Sequence, residues 1–334
     1  MEGANSQEGP DNGVVQHLGP EAVERHLTMG MALEAVEAAF RELARDEAVQ
    51  PVRTHMTLPG GDRHLLVMPG YLDGSGALGA KLLSLFPHDQ ASSRPSHQSV
   101  ILLFDPETGA PMALLDAAAI TAYRTAAASG VATRLLARED ASELALLGAG
   151  LQARSHLRAM MAVRPIEGVR VWSRREATVE SFLDWCVKEG VSVPVNRCGT
   201  PEEAVQGADL VCTVTASPVP ILKGEWLGPG SHVNAVGAHT AETRELDSDA
   251  VAQARFFVDQ REAALAEAGA FLIPRREGRI GGDHIIGEIG ELLENRISGR
   301  TSAQDRTVFK SLGLAVQDLA TAIRVVESAV ERDD

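Results

Sequence analysis

The chain has 334 residues, 44% hydrophobic and 23% charged, with a formal net charge of −15. That length suits about two domains with substantial cores. The acidic balance argues against nucleic acid as a partner, while leaving room for a local basic pocket that takes a small anion. No apolar run approaches the roughly 20 residues of a membrane span, and Met1 to Gly13 lacks the apolar core of a signal peptide. A cytoplasmic protein without a membrane partner is therefore expected. Cys186, Cys198 and Cys212 lack metal-site spacing and read as reduced packing residues. The histidines show no ligand spacing beside acids, so no metal is expected.

Residues 1–13 have the composition of a disordered tail. From Gly19 to Glu47, apolar residues recur at helical spacing (Leu33, Val36, Ala39, Phe40, Leu43) and predict two short helices. The period then shifts to short strands over Arg53–Leu58, His64–Pro69, Gly79–Leu85, Gln98–Phe104 and Met112–Leu115, a largely antiparallel layer divided by glycine-bearing turns. Three cations fall in or just after it: Arg53, Lys81 and Arg124. Lys81 stands inside Leu-Gly-Ala-Lys-Leu-Leu, and a cation in an apolar strand must find an anion or reach solvent. Three cations converging on one cleft would suit a carboxylate-bearing substrate. Asp116 to Leu136 reads as an Ala-rich helix able to pack closely.

Leu144-Ala-Leu-Leu-Gly-Ala-Gly-Leu-Gln-Ala153 then gives the strand–turn–helix grammar of a dinucleotide-binding unit. Gly148 allows the tight turn, Gly150 the approach of a pyrophosphate, and Ala153 the packing of helix on strand. Strand-like stretches at Glu143–Leu147, Val169–Trp172, Val191–Val195, Leu210–Thr215, His232–Val236 and Arg255–Val258 alternate with helical ones at Gln152–Val163, Glu176–Lys188 and Pro201–Gln206. This α/β alternation predicts a parallel sheet of Rossmann type. After the second strand, Ser173-Arg174-Arg175 stands where an acid would bond the ribose of NAD. An Arg there accommodates a 2′-phosphate, so NADP(H) is preferred, with NAD(H) as the alternative. Gly269 to Gly290 reads as a surface loop.

Several separated stretches carry a resemblance. They are Val67-Met-Pro-Gly-Tyr71 with Lys81, Ser96-His-Gln-Ser-Val100, Ile120-Thr-Ala-Tyr-Arg-Thr-Ala126 and the glycine motif. Gly230-Ser-His-Val-Asn-Ala-Val-Gly237, Arg244-Glu-Leu-Asp247 and Thr307-Val-Phe-Lys-Ser-Leu-Gly313 complete the set. In this order the chain resembles the ornithine cyclodeaminase/mu-crystallin family over almost its whole length. The resemblance implies an α+β substrate-binding and dimerisation domain at residues 14–125, completed by a C-terminal helix within 315–334. It implies a Rossmann NAD(P)-binding domain at 126–314, in a homodimer. Arg53 and Lys81 would hold the substrate carboxylate, with Ser99, Arg124 and Thr125 between substrate and cofactor. Gly148, Gly150, Leu151 and Gln152 would meet the pyrophosphate, and Ser173, Arg174 and Arg175 the adenosine ribose or its phosphate. Thr213, Val236, Gly237 and Ala238 would flank the cofactor, with Ser311 and Leu312 near the nicotinamide.

Two positions depart from the cyclodeaminases, which carry an Asp where this chain has His239 and a Glu where it has Leu66. Without both acids, cyclisation of a diamine is disfavoured, and the likeness to the mu-crystallin branch implies reduction of a ketimine. The expectation is NAD(P)H-dependent reduction of the C=N of a cyclic 2-imino acid, such as pyrroline- or piperideine-2-carboxylate, to an L-amino acid. Arg53, Lys81, Arg124 and His239 form the expected catalytic set. Burial would lower the Lys81 pKa toward neutrality, which makes it the first candidate for a proton relay and His239 the second. The alternatives are an ornithine cyclodeaminase releasing ammonia, an alanine-type dehydrogenase, and an NADPH-binding protein without turnover.

Overall fold

The structure is a computed structural model that describes residues 15–86 and 97–333; the expected tail at 1–13 and Ser96 of the motif lie outside the described residues. Strand β1 (Gln16–Leu18) leads into helices α1 (Pro20–His26) and α2 (Met29–Ala44). Pro20 opens α1, where its missing N–H costs nothing, and Thr28 caps α2 by accepting from Met31 N. The buried face of α2 is the one its periodicity predicts, centred on Leu33, Val36 and Phe40. Strands β2 (Ala48–Val49), β3 (Thr54–Thr57), β4 (His64–Leu72), β5 (Ala77–Leu85), β6 (His97–Phe104) and β7 (Pro111–Asp116) follow. They form a sheet ordered β1-β7-β6-β5-β4-β2, with β3 also on β4. All its pairings are antiparallel except β1 on β7. Leu66, Met68, Gly70 and Leu72 point to the buried face of β4, and Lys81 lies opposite Met68 on that same face.

Helix α3 (Ala118–Leu136) joins this layer to a second one, and the expected domain boundary at 125/126 falls inside it. Its fully buried Ala126, Ala127 and Ala128 let neighbouring helices come close. Beyond it run β8 (Glu143–Leu147), α4 (Leu151–Val163), β9 (Gly168–Trp172), α5 (Glu176–Lys188), β10 (Val195–Arg197), α6 (Pro201–Val205), β11 (Leu210–Thr213) and β12 (His232–Ala235). Then come α7 (Ser248–Ala252), β13 (Arg255–Val258), α8 (Arg261–Glu267), α9 (Gly269–Arg276), β14 (Ile285–Glu288), α10 (Ile289–Leu293) and β15 (Thr307–Lys310). The second sheet has eight strands in the order β10-β9-β8-β11-β12-β15-β13-β14, all parallel. The chain winds outward from β8 to β10, then returns to lay β11 on the other side of β8. Between their carboxyl ends lies the crevice where such sheets bind ligands.

The last strand in sequence, β15, lies inside the sheet, between β12 and β13. Helix α11 (Ala315–Asp333) then leaves for the first layer and packs on β4, β5, α2 and α3. At Gly70 it comes so near that a Cβ would lie 3.1 Å from Leu319 Cδ1. The molecule thus pairs an α+β layer with a Rossmann-type α/β layer, the class the periodicities predict. Cys186, Cys198 and Cys212 are buried thiols without disulfides. Among the described residues no helix is long and apolar enough to cross a membrane.

Two expectations are corrected. The strand expected at Val191–Val195 is β10, at Val195–Arg197. Pro194 has no N–H for the ladder, and only its carbonyl pairs, accepting from Val169 N at 2.9 Å. Gly269 to Gly290 is not a surface loop, since it holds α9, β14 and the start of α10. The glycines that suggested a loop include close-packing sites: a Cβ on Gly269 would strike the Thr243 carbonyl, and one on Gly290 the Phe40 carbonyl. Gly290→Ala should therefore push α10 off α2 and cost about 1–3 kcal/mol. Urea unfolding checks this, and an unchanged midpoint would contradict the close seam.

Candidate active site

One half of the candidate site is built from the exits of β8, β11, β12 and β15. Gly148 has φ 118°, and a Cβ there would lie 2.7 Å from the Val214 carbonyl oxygen, so the turn accepts only glycine. Its N–H donates to Trp172 O at 2.8 Å, which ties the turn to the last residue of β9, just before Ser173. Gly150 is the N-cap of α4; its Cβ direction is open space, and no side chain caps the helix. The free N–H groups of that first turn, with the positive end of the helix dipole, suit a pyrophosphate. Leu151 beside them is exposed. Gln152 buries Oε1, and Ser311 buries Oγ, each without a hydrogen-bond partner among the described residues. Orphaned polar atoms of this kind, both at the carboxyl edge of the parallel sheet, are what a bound polar ligand would satisfy. A dinucleotide fits. Ser173 is half-buried, and Arg174 and Arg175 are exposed. The acids that follow, Glu176 and Glu180, both pair with Arg197.

Three buried charges that the sequence reading did not single out shape these strand ends. Glu245 accepts from Thr213 Oγ1 at 2.8 Å, Thr215 N at 2.7 Å, Thr215 Oγ1 at 2.6 Å and Gly237 N at 2.7 Å. It thereby locks the ends of β11 and β12, where Thr213, Val236, Gly237 and Ala238 lie. A Cβ on Gly237 would strike the Thr215 carbonyl. Lys310 donates to Ala235 O at 3.0 Å and Ser311 O at 2.8 Å, and burial pushes its pKa down to about 8. Asp259 Oδ2 accepts from Leu312 N at 2.6 Å and Gly313 N at 2.8 Å, while burial raises its carboxyl.

The other half of the candidate site brings the predicted cations together. Lys81, buried on β5, donates to Thr121 Oγ1 at 2.6 Å and Asp318 Oδ1 at 3.0 Å. Arg124 donates from Nε to the same Asp318 Oδ1 at 2.9 Å, and from Nη1 to Gln317 Oε1 at 3.0 Å. Arg53 donates to the carbonyls of Leu312 at 2.9 Å and Gly313 at 3.0 Å, and pairs with Glu267 at 3.2 Å. Burial, partly offset by Asp318 and deepened by Arg124 and Arg53, pushes Lys81 down to about 8. Burial also raises the Glu267 carboxyl.

His239 lies at the mouth of the site, its Nδ1 3.4 Å from Gly237 O. Crowding by protein, with Arg53 and Lys310 nearby, pushes its pKa down to about 4. Ser99 is half-buried on β6, its carbonyl accepting from Ala117 N at 3.1 Å, and Thr125 is buried beside Arg124 on α3. Leu66 shares the Lys81 face of the sheet, so no acid stands at that position. Among the described residues no cluster of three or more His, Cys, Asp or Glu is placed to hold a metal.

Asp318, Glu267, Glu245, Asp259 and Lys310 escaped the sequence reading. Only Lys310 carried a usable signal, being a cation in the apolar Val308-Phe-Lys run. Glu245→Ala would leave the Thr215 amide and the Thr213 and Thr215 hydroxyls without their acceptor, and the Gly237 amide with only its 3.2 Å bond to Thr213 O. A loss of roughly 3 kcal/mol or more is expected, with weaker NAD(P)H binding. Thermal melting and cofactor fluorescence check this, and an unchanged melting temperature would contradict the role assigned to Glu245.

Comparison with known proteins gives the same frame. The model of the ornithine cyclodeaminase/mu-crystallin family matches residues 16–333. The ketimine reductase mu-crystallin of Mus musculus is 40% identical over 317 residues, covering 93% of this chain and 96% of its own. The structure of Thermococcus litoralis Delta(1)-pyrroline-2-carboxylate reductase with NADH and L-proline superposes with a TM-score of 0.92 at 37% identity, covering 96% of this chain and 98% of that one. An archaeal alanine dehydrogenase dimer with bound NAD gives a TM-score of 0.89 at 33% identity, covering 96% and 97%. The chain belongs to the ornithine cyclodeaminase/mu-crystallin family.

Proposed function

We propose that this protein is an NAD(P)H-dependent oxidoreductase that reduces the C=N of a cyclic 2-imino acid to the L-amino acid. The observation that carries the reading is the cluster of Arg53, Lys81 and Arg124 beside the end of β15, with Leu66 and His239 in place of the cyclodeaminase acids. These three cations face two carboxylates, Glu267 and Asp318, which leaves one positive charge for the carboxylate of a substrate. Relatives named as a ketimine reductase and a pyrroline-2-carboxylate reductase support the same chemistry.

When bound, the dinucleotide supplies the hydride. The first turn of α4 and Gln152 would hold its pyrophosphate, and Ser311 and Thr213 would lie along its nicotinamide half. Arg53 and Lys81 fix the substrate carboxylate and so place the C=N carbon, a positioning contribution that can supply much of the rate. Lys81, titrating near 8, is the group suited to give the imine nitrogen its proton. His239 is neutral above its low pKa and acts as a wall of the site. Arg174 and Arg175 favour NADP(H) over NAD(H). We assign residues 14–125 and 315–334 to the substrate and dimerisation domain and 126–314 to the Rossmann domain. The exposed strand β3, with Met56, and the exposed Leu82 offer the dimer surface. We place the enzyme in the cytoplasm.

Absorbance at 340 nm tests the reading, with NADPH or NADH and five- or six-membered cyclic 2-imino acids. Imine-dependent NADPH loss is expected, abolished in Lys81→Ala. Rates should fall about tenfold per pH unit above pH 8, where Lys81 loses its proton. The limb should be unmoved between pH 6 and 9 in His239→Asn, since that ring is already neutral there. Ammonia and proline from ornithine without net redox change would overturn the reading. Separately, Arg174→Asp should lower the NADPH-over-NADH preference roughly 10- to 100-fold by removing a charge-assisted phosphate contact; an unchanged ratio would assign NADP selection elsewhere.

A further inference from the structure

Asp318 lies on α11 in the run Ala315-Val-Gln-Asp-Leu-Ala, an ordinary helical sequence. Its environment is unusual. The carboxylate is fully buried, and one oxygen, Oδ1, accepts both Lys81 Nζ at 3.0 Å and Arg124 Nε at 2.9 Å. The other oxygen, Oδ2, is buried without a hydrogen-bond partner among the described residues. A carboxylate that served only to neutralise two cations would gain more by using both oxygens, because every unused buried lone pair adds desolvation cost. Sharing Oδ1 instead brings Lys81 Nζ and Arg124 Nε within about 6 Å of each other, against their repulsion. Neighbouring contacts tighten the same arrangement: Thr121 Oγ1 fixes Lys81 Nζ, and Gln317 Oε1, one residue before Asp318, fixes Arg124 Nη1.

We propose that Asp318 is a positioning residue that pins Lys81 and Arg124 to one point, so that both present their donors to a single substrate carboxylate. What the pair holds rests on the imine-reductase reading; how the pair is held rests on the geometry of α11 alone. The Asp318 charge also favours protonated Lys81. The other charged groups that face Lys81 are Arg124 and Arg53, which disfavour its charged form, and His97, whose own protonation Lys81 disfavours.

The test uses the cofactor-bound enzyme and Asp318→Asn, which keeps the shape and loses the charge. Affinity for pyrrole-2-carboxylate, a planar mimic that cannot be reduced, should fall about tenfold or more by calorimetry, with NADPH affinity within about twofold of the parent. The alkaline limb of kcat/KM should move down by about one pH unit. Arg124→Met removes a like charge instead, so its limb should move up. Unchanged carboxylate affinity and an unmoved limb in folded Asp318→Asn would overturn the proposal, as would limbs that move the same way in both variants. If Asp318→Asn does not fold, the direction of the Arg124→Met shift decides. If the parent reduces no imino acid, the functional reading fails, while the carboxylate titration still decides the role of Asp318.

Discussion

The peptide groups of Leu312 and Gly313 are gripped by charge from both sides. Asp259 takes their N–H groups, and Arg53 gives hydrogen bonds to their carbonyls. Gly313 has φ 80°, and a Cβ there would meet the Arg124 guanidinium, with Nη2 at 3.0 Å. Charge-assisted bonds in a water-poor interior are strong when every group is satisfied and costly when one is missing. A turn held this way has little freedom, and three of the charges that matter for the site, Asp259, Arg53 and Arg124, meet at it.

That turn is where the chain passes from one layer to the other. Strand β15 ends at Lys310 inside the parallel sheet, and α11 begins at Ala315 against β4 and β5. The cations of the first layer are therefore registered against the cofactor edge of the second by a five-residue stretch, Lys310 to Leu314, in which nearly every polar group is engaged. Placing β15 centrally rather than at the sheet edge surrounds the turn with β12 and β13 on either side. The place of the cation cluster against the carboxyl edge of the parallel sheet is thus set by this turn together with the central position of β15.

Much of this was legible in the sequence where a residue contradicted its surroundings. Lys81 in an apolar strand had to find an anion, and it did. Gly148 and Gly150 ended an apolar run, and they make the turn and the open helix start. What stayed hidden conformed to its surroundings. Asp318 is one acid on an amphipathic helix, 237 residues from Lys81, and nothing local marks it as the partner. Glu245 and Asp259 carry no local mark either, because the backbone donors they serve lie past the ends of β11, β12 and β15. The strands β14 and β15 were missed for a related reason: Gly287 breaks one pattern and Lys310 the other, and each strand is only four residues long.

Each acid near the cation cluster already has work within the protein. Asp318 binds Lys81 and Arg124, Glu267 pairs with Arg53, Asp259 holds the turn, and Glu245 holds the strand ends. The two positions at which cyclodeaminases keep acids carry an apolar side chain, Leu66, and a neutral ring, His239. A diamine would bring a second ammonium into this space, where Glu267 and Asp318 already face cations, and a charge left without a full counter-charge in a half-buried site costs several kcal/mol. A cyclic imino acid brings one carboxylate, which the cations can hold, and one nitrogen that is charged only when protonated, a charge that the incoming hydride neutralises. On the proposed reading, the charge balance of the site favours the second ligand over the first.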